Sequence, residues 1–162
     1  MEKKEFLKFC SDIFKSRNFL SKGQHFYFDG SPELLVVFGM TKSSFGPYFY
    51  IEFGSAIRPI NKFVPYPKFN ELDINCGRIM TPKGKAIHYT ELSFDDCQIF
   101  RSILLKHIDA ALAAVSKGKE EFLNNYVLSH PSPVSYVTKE IPTYFGANKD
   151  TFISHNIKVV SY

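Results

Sequence analysis

Two stretches of this chain hold the residue types able to recognise something else. In Tyr48-Phe49-Tyr50-Ile51-Glu52-Phe53, a period of two puts Tyr48, Tyr50 and Glu52 on one side and Phe49, Ile51 and Phe53 on the other. Tyrosine offers a flat apolar body and a polar tip, so that side suits stacking of a ligand or contact with another protein, with His25 and Tyr27 extending it from a neighbouring strand. Between Arg58 and Lys85, six bases (Arg58, Lys62, Lys68, Arg78, Lys83 and Lys85) meet two acids (Glu71 and Asp73), and Phe63, Tyr66 and Phe69 are interleaved. Aromatics supply stacking there, and the bases supply contacts to phosphate or carboxylate. The candidate binding residues are Tyr48, Tyr50, Glu52, Arg58, Lys62, Tyr66, Lys68 and Arg78. Each stretch also has a bland reading. The carboxy-terminal segment can cover the tyrosine side, and the loop aromatics can be pinned into the core with their lysines left in water.

Catalytic signatures are missing. Gly84-Lys85 is no phosphate loop, because Ile79 stands where the earlier glycine is required and no Ser or Thr follows the lysine. Ser116-Lys117-Gly118-Lys119 matches SxxK by spacing alone, where a helix should end. There is no GxSxG elbow, HExxH or GxGxxG. The five histidines (His25, His88, His107, His130 and His155) are scattered, and neither they nor the cysteines have metal-ligand spacing. Cys76 with His88 is a pair that folding could assemble, but a buried thiol beside a partly exposed imidazole is the simpler expectation. No catalytic residue, metal site or cofactor is assigned.

The elements that must position these residues are legible. Lys3 to Lys15 has helical periodicity with Phe6, Phe9, Cys10, Ile13 and Phe14 on one face. Gln24 to Ile57 reads as three antiparallel strands, joined by turns at Asp29-Gly30-Ser31-Pro32 and Ser43-Ser44-Phe45-Gly46-Pro47. The second strand, Glu33 to Thr41, is apolar on both faces and belongs at the centre. Gly39 and Gly54 fall within strand patterns, where bulges or close backbone approach are common. From Arg58 to Leu72 three prolines dictate an irregular loop. Asp73 to Thr81 is a fourth strand, with Ile74, Cys76, Arg78 and Met80 alternating against Asn75, Gly77 and Ile79. A short extended piece, Ala86 to Thr90, follows. Ser93 and Asp96 open a second helix, whose stripe of Cys97, Phe100, Leu104, Ile108, Ala111 and Val115 runs to Lys117-Gly118. A third helix spans about Lys119 to Leu128. After His130 and Pro131-Ser132-Pro133 come two weak strand patterns, the better one Thr151 to Val160, which either adds an edge strand or folds over the outer face of the sheet.

The sequence comprises 162 residues with a net charge of +4, all of whose excess lies between Arg58 and Lys85. So small an excess argues against general nucleic-acid binding and against a membrane-surface role. Seventeen Phe and nine Tyr with no Trp make the core aromatic. Three cysteines without a CxxC pair point to a reducing, cytoplasmic compartment. The charged start, Met1-Glu2-Lys3-Lys4-Glu5, has no signal-peptide character. Ile103 to Val115 is interrupted by Lys106, His107 and Asp109, which rules it out as a membrane span.

The order of these features resembles a bacterial family of small α+β domains of unknown function. The likeness rests on the leading helix, Asn18-Phe19, Lys22-Gly23, Leu35-Val36-Val37-Phe38, Lys42-Ser43-Ser44 and Phe49-Tyr50-Ile51-Glu52-Phe53-Gly54. It covers about the first 130 residues. Asn18 stands where the family favours glycine, and the long tail is peculiar to this chain. The resemblance implies helices packed on an antiparallel sheet and carries no activity, cofactor or catalytic residue.

These readings converge on one α+β domain over residues 1–162. An antiparallel sheet of four to six strands would carry helices mainly on one face, with residues 131–162 as an extended tail on the same domain. The leading functional expectation is a non-catalytic intracellular module that recognises another protein, of inhibitor or immunity type. The alternative is an enzyme or small-ligand binder for an anionic or nucleotide-like ligand, held by Arg58, Arg78 and nearby tyrosines. A deep polar pocket at Arg78 would favour that alternative, and a flat tyrosine face the module.

Overall fold

The computed structural model describes residues 1–129, 132 and 134–161. The histidine His130 and the prolines of the expected break at 131–133 lie outside the described residues.

The architecture is α+β. A helix, α1 (Lys3–Lys15), leads into the strands β1 (Leu20–Lys22), β2 (His25–Phe28), β3 (Leu34–Lys42), β4 (Tyr48–Ile57), β5 (Ile74–Ile79) and β6 (Ile87–His88). The long helix α2 (Phe94–Ser116) and the short α3 (Lys119–Phe122) follow, and α3 continues as a wider π-type turn over Leu123–Val127. Then come β7 (Tyr136–Thr138), α4 (Ile141–Phe145), α5 (Lys149–Ser154) and β8 (Lys158–Val160). The strands lie in the order β1-β2-β3-β4-β5-β7-β8, with β6 paired to the start of β4. Every pairing is antiparallel except β7 with β8.

The sheet thus has eight strands, against the four to six expected. The extra ones are two or three residues long, and such runs are too short to show a period of two. The expected strand from Thr151 to Val160 divides. Asn148 caps a helix by accepting from the Asp150 backbone N–H, and only Lys158–Val160 is extended.

Capping follows the side chains present. Ser93 Oγ accepts from the Asp96 N–H at 3.1 Å while Asp96 Oδ2 accepts from the Ser93 N–H at 3.0 Å, which fixes the start of α2. One face of the sheet is dry. Phe26, Val36, Phe38, Phe49, Ile51, Phe53, Ile74 and Cys76 point toward the helices. There they meet Phe6, Phe14, Phe100, Leu104, Ile108 and Phe122, and the same cluster reaches Ile141, Phe152 and Ile157 of the carboxy-terminal segment. Phe14 stacks on Phe26 with ring centres 4.1 Å apart, and Phe38 stacks on Phe53 at 5.8 Å.

The other face is roofed over only part of its area. Tyr27, Leu35, Val37, Ala56 and Leu72 form a second buried cluster with Val64 and Phe69, so the roof is the proline-bearing loop between β4 and β5. The carboxy-terminal segment instead joins the sheet edge beside β5.

Candidate binding surface

Tyr50, Glu52 and Arg78 meet on the unroofed part of that outer face. Glu52 and Arg78 are cross-strand partners on β4 and β5. Arg78 Nε donates to Glu52 Oε1 at 2.9 Å, and Thr41 Oγ1 donates to Glu52 Oε2 at 3.2 Å. The guanidinium carbon of Arg78 lies 4.5 Å from the centre of the Tyr50 ring, a cation–π contact. The Glu52 side chain is 12% exposed and that of Arg78 38%, so the carboxylate is held inside and the cation lies at the surface.

Arg78 does not share a face with Ile74 and Cys76, contrary to the simple alternation. The pairing of β4 with β5 shifts register between Phe53 and Gly54, with Phe53 opposite Gly77 and Gly54 opposite Asn75. Cys76 is the extra residue of a β-bulge, and after it the parity reverses. Gly77 adopts φ +125°, and its N–H donates to Asn75 Oδ1 at 2.9 Å. A Cβ on Gly54 would sit 2.1 Å from the Ile74 carbonyl oxygen. The bulge therefore needs both glycines, and it turns Arg78 toward Glu52.

The other candidates do not join this group as one site. Tyr48 lies next along β4, opposite His88, whose ring meets it edge-on at 4.6 Å. Tyr66 packs edge-on against Tyr27 and carries Lys22 over its own ring at 4.9 Å. Tyr27 in turn donates its hydroxyl to the Pro67 carbonyl at 3.0 Å. Lys68 precedes the 3₁₀ turn Phe69–Glu71, where its N–H donates to Glu71 Oε2 at 2.7 Å. Arg58, just past the end of β4, pairs with Asp29 of the β2–β3 turn. Lys62 lines a cleft of about 560 Å³ between the loop and the carboxy-terminal segment, with Asn61, Phe63, Glu71, Asp73, Thr138 and Glu140. A second cleft of about 440 Å³ lies by Lys83, Lys85, His88 and Ile99. Neither is lined by Tyr50, Glu52 or Arg78.

Thr41, Asn61 and Thr138 are not legible as site residues in the sequence, because isolated polar residues carry no periodic signal. Phe45 reads in the sequence only as a turn residue, yet its ring stands 91% exposed at the β3–β4 turn. Cys76 and His88 form no pair. Cys76 is buried on the helix side, whereas His88 lies with Tyr48 on the outer face. Burial pushes the thiols of Cys10 and Cys76 far up, which keeps them protonated and unreactive. Among the described residues no group of three or more His, Cys, Asp or Glu could hold a metal ion, and no helix is long and apolar enough to cross a membrane.

Comparison of the chain with protein-family models, curated proteins and solved structures returns no match. What stands from the family likeness is the architecture, a small α+β domain.

Proposed function

We propose that this chain is a non-catalytic binding module that recognises another protein through the open half of its sheet's outer face. The observation that carries the reading is the state of Arg78. It is the exposed member of a group with half-buried Tyr50 and buried Glu52 on the sheet, and lies outside both clefts described above. A fixed arginine beside tyrosines, with an exposed phenylalanine in the adjoining β3–β4 turn, has the composition of an interface hot spot at low ordering cost. An intracellular inhibitor or immunity protein, from a bacterial family of such domains, is the kind of module this suits. The rival, a pocket for an anionic or nucleotide-like ligand, calls for arginines free to converge. Here Arg58 and Arg78 already pair with Asp29 and Glu52, on different parts of the fold.

A thermal-shift screen against nucleotides and acidic metabolites separates the two readings, because a ligand bound only by the native state raises the melting temperature. A dose-dependent rise lost in Arg78→Ala would sink the module reading. Without such a rise, affinity capture is run in parallel with wild type, Phe45→Ala and Tyr50→Ala. A partner retained by wild type and released by both folded variants is the expected outcome. Retention by both variants would remove the sheet face as the interface.

A further inference from the structure

The cleft beneath the β4–β5 loop has a chemistry opposite to that of the basic loop that borders it. Its wall carries three carboxylates, Glu71, Asp73 and Glu140, against the single ammonium of Lys62, and the exposed Lys139 ammonium stands 4.0 Å from the outer side of Glu140 in a loose surface pair. Asp73 is 7% exposed and forms no ion pair among the described residues. Its Oδ2 accepts from the Ile57 N–H at 2.7 Å and from Asn61 Nδ2 at 2.9 Å. Two neutral donors orient a buried carboxylate without supplying the opposite charge that burial calls for. Burial, opposed by these hydrogen bonds and assisted by the nearby charge of Glu140, holds the Asp73 carboxyl above the usual range.

A second observation is independent of the acids. Thr138 also lines the cleft and is 7% exposed, and its hydroxyl has no hydrogen-bond partner among the described residues. Its neighbour Val137 is fully buried in the helix-side core, so the alternation of β7 turns Thr138 toward the loop. A buried hydroxyl left unsatisfied in a native fold calls for an explanation. The wall is also pre-ordered. The Asp73 carbonyl accepts from the Thr138 N–H at 2.9 Å, and Asn61 Oδ1 accepts from the Phe63 N–H at 2.9 Å, which sets a half-exposed aromatic ring at the rim.

From this arrangement we infer that the cleft binds an organic cation, an ammonium or guanidinium group carried on an aliphatic chain. The carboxylates of Asp73 and Glu140 receive the charge and the Thr138 hydroxyl accepts a further N–H. Phe63 covers the cationic head, and Ile60 with Leu72 contacts the stem. The volume, about 560 Å³, is that of a small-ligand site. Such a cation arrives either as a free amine or as the arginine side chain of a polypeptide. This site is separate from the Tyr50–Arg78 face and stands or falls independently of it.

The test is calorimetric titration of the full chain with agmatine, with spermidine and with an end-blocked peptide containing one arginine. The expected result is saturable binding of at least one probe with a dissociation constant below about 1 mM. It weakens about tenfold or more in Asp73→Asn and in Glu140→Gln. Glu140 is exposed, so its variant keeps the fold even if Asp73→Asn does not. Preference for the peptide assigns the cation to a protein side chain, and preference for agmatine or spermidine assigns it to a free amine. No saturable binding of any probe up to about 10 mM, or binding unchanged in Glu140→Gln and in a folded Asp73→Asn, overturns the inference.

Discussion

Glu52 and Arg78 stand opposite each other on β4 and β5, and one hydrogen bond of 2.9 Å joins them while Tyr50 stacks on the cation. The carboxylate is much the more buried partner, so the pair is asymmetric: losing the arginine strands a desolvated charge, while losing the acid frees a surface cation. Arg78→Ala is therefore expected to destabilise by more than Glu52→Gln. A double-mutant cycle in urea should give a coupling of about 0.5–1.5 kcal/mol. Additive effects would mean that the pair contributes no order to the face.

The bulge that delivers Arg78 to that face rests on two glycines, and they are not equivalent. Gly77 has φ +125°, and a Cβ there would meet the Ser132 Oγ at 2.6 Å and the Ser132 Cβ at 2.9 Å, so that residue would have to shift as well. Backbone strain adds to this crowding, and Gly77→Ala should cost about 1–3 kcal/mol. At Gly54 the obstacle is the Ile74 carbonyl of the paired strand at 2.1 Å, which cannot move without parting β4 from β5. Gly54→Ala should be the worse of the two by urea midpoint. The reverse order would mean that the bulge yields more easily than its ladder.

Much of the framework was legible from local chemistry. α1 has the bounds read from its periodicity, Ser93 and Asp96 open α2 as their types require, and β2, β3 and β4 fall where the alternation places them. A glycine inside the strand pattern at position 54 implies a bulge or a close approach, and Gly54 is the site of both. Illegible features depended on contacts distant in sequence. A bulge reverses parity without a marker of its own at Cys76, so Arg78 was assigned to the wrong side. The sequence leaves open whether the carboxy-terminal segment adds an edge strand or covers the tyrosine side, because strands of three residues each give only a weak pattern; the structure has the edge strands. The cleft sets Asn61 and Asp73 of the loop beside Thr138, which reaches them only through the pairing of β7 with β5.

Ser55 offers a stabilising substitution. It is fully buried on β4, opposite Val36, and its hydroxyl has no hydrogen-bond partner among the described residues. Desolvating a hydroxyl without compensation costs about 1–3 kcal/mol, and removing it leaves only a small void. Ser55→Ala should raise stability, by about 1 kcal/mol at most once the void is counted, and so raise the melting temperature. A lower melting temperature would mean that the hydroxyl contributes to the native fold.

His25 gives the fold a measurable response to acid. Its Nε2 accepts from the Phe69 N–H at 3.3 Å, tying β2 to the roofing loop. Burial foremost, and then the charge of Lys68, holds its pKa below the ordinary value, with Glu71 opposing. The unfolded state, near 6.5, therefore binds the proton more readily. The contribution of neutral His25 is complete above about pH 6.5 and is lost as pH falls through the lower folded-state value. Asp73, whose carboxyl is shifted up, works in the opposite sense, so a single pH profile mixes the two. Subtracting the His25→Gln profile from that of wild type isolates the histidine. Parallel profiles between about pH 7 and pH 5 would exclude it as the source.

Asn18 ends α1 in the left-handed region, with φ +63°. Its N–H donates to the Lys15 carbonyl at 3.0 Å, and the next N–H, of Phe19, reaches back to the Phe14 carbonyl at 3.2 Å. The rings of Phe14 and Phe19 then meet edge-on at 5.4 Å, the apolar contact that accompanies this kind of helix stop. Asparagine tolerates the conformation and β-branched residues do not. Glycine would remove the remaining strain while adding freedom to the unfolded chain, so Asn18→Gly should lie within about 0.5 kcal/mol of wild type. Asn18→Val should lose about 1–2 kcal/mol by urea denaturation, because a β-branched Cβ at positive φ crowds the following carbonyl. A valine variant as stable as wild type would show that the Phe14–Phe19 contact, rather than the backbone at residue 18, sets the end of the helix.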